Sequence, residues 1–161
     1  MPSVIKNREI VEDPWFSAAD EGDLPAGPVI VSLSRWRQER DTLRKRQQPV
    51  GVRLPNTEDV AELAPDLAHL ALIALEFPKF ADGRAYSQAR LLRERYGYQG
   101  EIRAVGDVLR DQLFFMARSG FDAFVLRPDR DLQDALQAFQ EFTETYQPAA
   151  DQPQPLYRRA R

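Results

Sequence analysis

Five short apolar runs, each followed by a stretch with helical spacing, set the strongest limit on how this chain can fold. The runs are VIVSL (Val29 to Leu33), VGVRL (Val50 to Leu54), LIALEF (Leu72 to Phe77), IRAVG (Ile102 to Gly106) and AFVLR (Ala123 to Arg127). Most are β-branched and nearly continuous rather than alternating, the pattern of strands buried on both faces of a parallel sheet. The intervening segments read as helices. SRWRQERDTLRKR offers Ser34 as a cap and a narrow stripe of Trp36 and Leu43. NTEDVAELAPDLA offers Asn56 or Thr57 as a cap, with Pro65 placed to interrupt or kink it. Ala85, Ala89, Leu92 and Tyr96 share one face ahead of Gly97, which stops the helix. Asp107 opens a fourth helix that ends at Gly120. Asp131 opens a fifth, with Leu132, Ala135, Leu136, Phe139, Phe142 and Tyr146 on its buried face.

Alternation of this kind argues for right-handed crossovers in one parallel α/β sheet. Five units cannot close an eight-stranded barrel, so the expected fold is a single α/β domain over residues 1–147. It has about five parallel strands in an open three-layer sheet, with a partial barrel as the alternative. A length of 161 residues supports one such core. Within the lead-in, residues 1–28, SVIKNREIVEDPW reads as a small β-hairpin turning at Asn7, an antiparallel flap. The tail at 148–161, rich in proline and polar residues, is expected to be flexible.

Composition removes several classes of function. The net charge of −3 lacks the basic excess of a general nucleic-acid binder. No apolar run is long enough to span a bilayer, and the N-terminal stretch lacks the run of roughly seven apolar residues that a signal peptide needs, so a cytoplasmic protein is expected. With no cysteine there is no disulfide, no redox CxxC pair and no cysteine-ligated zinc or iron–sulfur cluster. The single histidine, His69, fits a structural position near a strand entry and leaves no histidine-rich metal site. No glycine-rich dinucleotide fingerprint, Walker loop, HExxH or GxSxG is present, so the residues name no cofactor.

The segment EFPKFADGRAYSQAR is the longest connection leaving a strand, and ligands of parallel α/β sheets usually meet the carboxyl ends of the strands. Lys79 follows the strand between two phenylalanines, one of them Phe80. Asp82 is placed to cap, Gly83 permits close backbone approach, and Arg84, Ser87 and Arg90 lie in the helix start, where free N–H groups favour an anion. Arg90 also has Glu94 four residues on as a partner. The next loop adds Asp107, Arg110, Asp111 and Gln112. Together, Lys79, Phe80, Asp82, Gly83, Arg84, Ser87, Arg110 and Gln112 form a candidate surface for an anion or an acidic partner. Lys79 and Asp107 are the candidate catalytic groups, although Asp107 fits a helix cap better than an acid or base. Phe114 and Phe115 are adjacent, so one packs inward and the other faces out.

These residues also carry a resemblance. LEFPKFADGRAYSQARLLRERYGYQGEIRAVGDVLRDQLFFMARSGFDAF closely resembles the signature region of the bacterial family called domain of unknown function 934, with weaker likeness in GPVIVSLSRW and VGVRL. The resemblance implies a place in sulfate assimilation, where members are described as oxidoreductases of sulfite reduction encoded beside the sulfite reductase haemoprotein. It supplies no catalytic residues. Two functions follow as expectations. One is an accessory protein that binds sulfite reductase or its electron donor, through the basic helix RWRQERDTLRKR or the loop from Lys79 to Arg90. The other is an oxidoreductase or other enzyme acting on a small oxyanion or sulfur intermediate, with Lys79, Arg84 and Arg110 binding the anion and Asp107 as acid or base.

Overall fold

The computed structural model describes residues 2–78, 83–127 and 131–145. Eight strands form one sheet: β1 (Ser3–Lys6), β2 (Glu9–Glu12), β3 (Phe16–Ser17), β4 (Val29–Ser32), β5 (Val50–Leu54), β6 (Leu72–Phe77), β7 (Glu101–Gly106) and β8 (Ala123–Phe124). Their order is β2-β1-β8-β7-β6-β5-β4-β3. The five expected runs became β4 to β8, which run parallel to one another. The expected hairpin also forms, with Asn7 and Arg8 both at positive φ (52° and 64°), as a two-residue primed turn requires. It is no separate flap. β1 pairs antiparallel with β8 and carries the hairpin into the sheet.

A short link shows that the sheet curls. The outermost strands β2 and β3 are joined only by Asp13, Pro14 and Trp15. Laid flat, eight strands put their edges about 34 Å apart, whereas the four steps from Glu12 to Phe16 reach about 14 Å. The sheet therefore bends into a half-barrel, and the link crosses its inside.

All the helices lie on the outside. α1 (Leu33–Arg44), α2 (Arg84–Arg90), α3 (Leu113–Ser119) and α4 (Leu132–Thr145) place Trp36, Ala89, Met116 and Phe139 in one core with Val52, Leu54, Ile73, Leu75, Ile102 and Phe124. The opposite, concave face holds a small cluster of Ile30, Leu72 and Ala74, covered by Trp15 from the link. The expected three-layer sheet is thus corrected to two layers in a curled, mostly parallel half-barrel. Its inner face is filled by a strap of chain rather than by a second set of helices.

Several helix starts differ from expectation for local reasons. Ser32, the last residue of β4, caps α1 by accepting a hydrogen bond from the Arg35 N–H (3.1 Å), displacing Ser34. Asn56 and Thr57 are the middle of a turn closed by Glu58 N–H to Pro55 O (3.1 Å). Asp59 therefore caps the next segment, a 3₁₀ helix over Val60–His69 with Pro65 inside it. α2 widens into a π-helical turn at Leu91–Arg95 before Gly97, at φ +65°, ends it. Asp107 does not start a helix. Its neighbours close a three-residue turn, Val108 N–H to Gly106 O (2.9 Å), and α3 begins only after a 3₁₀ turn at Arg110–Gln112. Asp131 caps α4 as expected, accepting from the Gln133 N–H (2.9 Å). Phe142 and Tyr146 lie outside the described side chains, as does the tail at 148–161.

Candidate functional site

Residues of β6 and β7 pair in register from Leu72 with Glu101 to Phe77 with Gly106, so the loops that leave them start side by side. Their roots are tied by the Asp107 N–H to Phe77 O (2.7 Å). The expected meeting of these two loops is therefore present at the carboxyl end of the sheet. Gly106 makes it possible: its φ is +95°, and a Cβ there would sit 2.5 Å from Phe77 O.

The predicted residues distribute unevenly over this rim. Gly83, Arg84 and Ser87 are exposed at the start of α2. Gly83 caps that helix without a side-chain hydrogen bond. Seven residues of α-helix precede the π turn, too short a stretch to make an anion site by its dipole. Gln112 faces α2 and accepts a hydrogen bond from the Tyr86 hydroxyl (2.9 Å), whose phenol is pushed above its usual value by burial. Arg110 turns away toward α4, where its Nε lies 2.9 Å from Asp134. Asp107 faces Arg127, 3.3 Å away, as an ion pair rather than a helix cap. Arg90 pairs with Glu94 (3.6 Å), as the spacing suggested. Phe114 is buried and Phe115 exposed. Lys79, Phe80 and Asp82 lie outside the described residues.

The basic helix is committed to the fold. Arg35 of α1 donates to Ala19 O and Gly22 O and pairs with Glu39. Arg37 pairs with Glu58 and Glu62, and Arg40 and Arg44 both reach Asp66. Hydrogen bonds from Arg37 hold the Glu62 carboxyl below its usual value. Glu39, Glu58, Glu62 and Asp66 thus pair with Arg35, Arg37, Arg40 and Arg44, four of the six basic residues of this stretch. His69 ends that segment, its Nε2 3.2 Å from Arg44.

The concave face carries charges that the sequence reading passed over. Arg103 is 3% exposed and bonds Glu101 (2.8 Å) and Asp13 of the strap (2.9 Å), while Glu101 also pairs with Lys6 (3.0 Å). Nearer the carboxyl end, Arg53 of β5 and Glu76 of β6 form a second pair at 3.1 Å, each 34% exposed. The inside of the curl is therefore sealed beside the strap and open toward the loops. A signal was present, because Arg53, Glu76 and Arg103 each interrupt an otherwise apolar run. Taken as buried on both faces, those runs left no position for a charge.

A family model described as bacterial protein of unknown function (DUF934) matches residues 51–157. The chain belongs to the DUF934 family. No curated protein matches it. The family match spans β5 to β8 and both rim loops, and leaves out the hairpin, strap, β3, β4 and α1. Among the described residues no helix is long and apolar enough to cross a membrane, and no group of three or more His, Asp or Glu side chains could hold a metal ion.

Proposed function

We propose that this DUF934 protein is an accessory protein of assimilatory sulfite reduction that binds sulfite reductase or its electron donor. The pathway comes from the family resemblance. The rim where the β6 and β7 loops start side by side, with Gly83, Arg84 and Ser87 exposed, is the observation that carries a docking role. Backbone bonding between Phe77 and Asp107 fixes the roots of the two loops beside each other, and groups already held together lose less entropy when a partner binds. Docking through α1 has less support, since its arginines already face Glu58, Glu62 and Asp66.

The reading is tested by deleting the gene. Growth on sulfate or sulfite should be impaired while growth on cysteine is intact, and tagged protein should co-purify with sulfite reductase. The double variant Lys79→Ala with Arg84→Ala should fail to complement, with a Tm within a few degrees of wild type. Equal growth of the deletion strain on all three sulfur sources, with no second copy of the gene, removes the pathway. Full complementation by the folded double variant removes the rim.

A further inference from the structure

We propose that the cavity at the amino end of β5, between the end of α1 and the end of the 3₁₀ segment, binds a small, doubly charged oxyanion. It holds about 350 Å³ and is bounded by Arg44, Arg46, Gln47, Gln48 and His69, over a floor that includes Val50 and Leu70. No carboxylate lines it, in a chain whose net charge is −3. Two other cavities bounded by described residues balance their charges, Arg8 against Asp122 in one, Arg37 and Arg40 against Glu39 and Asp41 in the other. The strands here run parallel, so this cavity lies at the opposite end of the sheet from the rim, and the proposal does not rest on the accessory role.

Both arginines keep donors that the fold leaves unmatched. Arg46 gives Nη2 to Pro25 O and Gly27 O, which fixes its guanidinium against the loop ahead of β4. Its Nε is buried without an acceptor, and its Nη1 has none among the described residues. Carbonyls alone hold this guanidinium, so its charge is not cancelled. Arg44 gives Nη2 to His69 Nε2 (3.2 Å). Arginine only donates, so that ring nitrogen accepts, and the imidazole orients Arg44 without adding a charge. Asp66 lies 3.7 Å from Arg44 Nε, beyond hydrogen-bond reach. Its two oxygens already meet Arg40, each at 2.9 Å.

Charge selects the class of ligand. Three arginines, Arg40, Arg44 and Arg46, stand against the one carboxylate of Asp66, which leaves an excess of two positive charges. The carbonyl end of α1 offsets only about half a charge. A doubly charged anion comes close to neutralising what remains, whereas a singly charged one leaves a guanidinium uncompensated. Several acceptor oxygens on one centre also let a single ion bond both arginines.

The test is calorimetric titration of the full chain at about pH 8, where an ordinary imidazole is neutral, and at constant ionic strength. Sulfate and phosphate, both doubly charged there, are compared with nitrate. At least one of the two should bind about tenfold or more tighter than nitrate, the factor for one charge-assisted hydrogen bond, and whichever binds tighter names the source. Arg44→Gln should weaken that binding about tenfold at an unchanged Tm, since the Arg44 side chain is 38% exposed. Arg46→Gln should do the same. If it does not fold, because the Pro25 to Gly27 loop loses its anchor, Arg44→Gln still decides. Arg37→Gln removes an equal charge from the same helix, but that arginine is paired with Glu58 and Glu62, so binding should be unchanged. No saturable binding, no preference over nitrate, undiminished binding by folded Arg44→Gln, or equal weakening by Arg37→Gln overturns the proposal. The titration uses neither cells nor a partner protein, so its failure and that of the accessory role are told apart.

Discussion

Asp13 and Arg103, ninety residues apart, meet inside the curl of the sheet with Oδ2 2.9 Å from Nη1. One belongs to the strap between the two edge strands and the other to the centre of the sheet, so this contact helps hold the half-barrel in its bent form. Asp13 is 12% exposed and Arg103 3%, which places the pair among buried ion pairs; without Asp13, Arg103 keeps Glu101, but Glu101 is already shared with Lys6, so the network is left with one positive charge in excess. Asp13 also accepts the Trp15 N–H (3.1 Å), ordering the strap locally.

Asp13→Ala is therefore expected to lower stability by about 3 kcal/mol. Asp13→Asn, which can keep the bond to Trp15, should lose less. Urea unfolding followed by Trp fluorescence measures both. A loss below about 1 kcal/mol for the alanine variant, the range of exposed pairs, would mean the strap is held by Trp15 packing alone.

Gly106 has two independent reasons to be glycine: its φ of +95° and the Phe77 carbonyl 2.5 Å from where a Cβ would stand. Backbone is the obstacle, so no rotamer change relieves it. Gly106→Ala should cost about 2 to 4 kcal/mol and loosen both rim loops, seen as faster amide exchange at Asp107. Gly83→Ala, where a Cβ meets nothing within 4 Å and φ is not positive, is the control and should be nearly neutral.

The contrast between what the sequence disclosed and what it hid has a physical origin. Core strands such as LIALEF were legible to the residue because a short, nearly continuous apolar run is a local property, and β6 occupies that same span. The turn at Asn7 was legible because a tight turn needs residues tolerant of positive φ. Curvature was not legible, because it depends on β2 and β3 lying at opposite edges of the sheet, a fact of topology. Once that order is known, the three-residue strap requires the bend. Arg53 and Glu76 were overlooked for the same reason: only a curled sheet gives its charged residues an interior to face. At the rim, the two loops meet as the candidate surface required, but Arg110 went to Asp134 because α4 packs near that loop, which no local pattern announces.

Charge pairs between α1 and the 3₁₀ segment separate by burial rather than by distance. Arg37 makes the shorter contacts with Glu58 and Glu62, yet all three side chains are well exposed, and water screens such pairs. Asp66 is 2% exposed and meets Arg40 at 2.9 Å. Asp66→Asn should cost about 3 kcal/mol and resist added salt. Arg37→Ala should be indistinguishable from wild type in 0.5 M salt, a condition chosen because the screening length there falls below about 5 Å. A salt-insensitive loss at Arg37 would reverse this ranking.

Asp122 gives the protein a pH dependence of opposite sign to that of most carboxylates. It precedes β8, accepts the Ile102 N–H (2.8 Å) and lies 3.5 Å from Arg93, but burial dominates and raises its carboxyl above the usual 3.8. A folded-state value above the unfolded one means that folding takes up a proton. The stabilising contribution is complete below the unfolded value and is lost as pH rises through the folded one. Between 3.8 and the raised value, wild type should thus lose stability relative to Asp122→Asn, whose amide oxygen can still accept from Ile102. Chemical unfolding of both proteins from pH 3.5 to 7 gives the comparison, and subtracting the curves cancels the other carboxylates. The difference should fall with rising pH and level off above the folded value. A difference that grows with pH would show that the Arg93 charge outweighs burial and that Asp122 is held ionised.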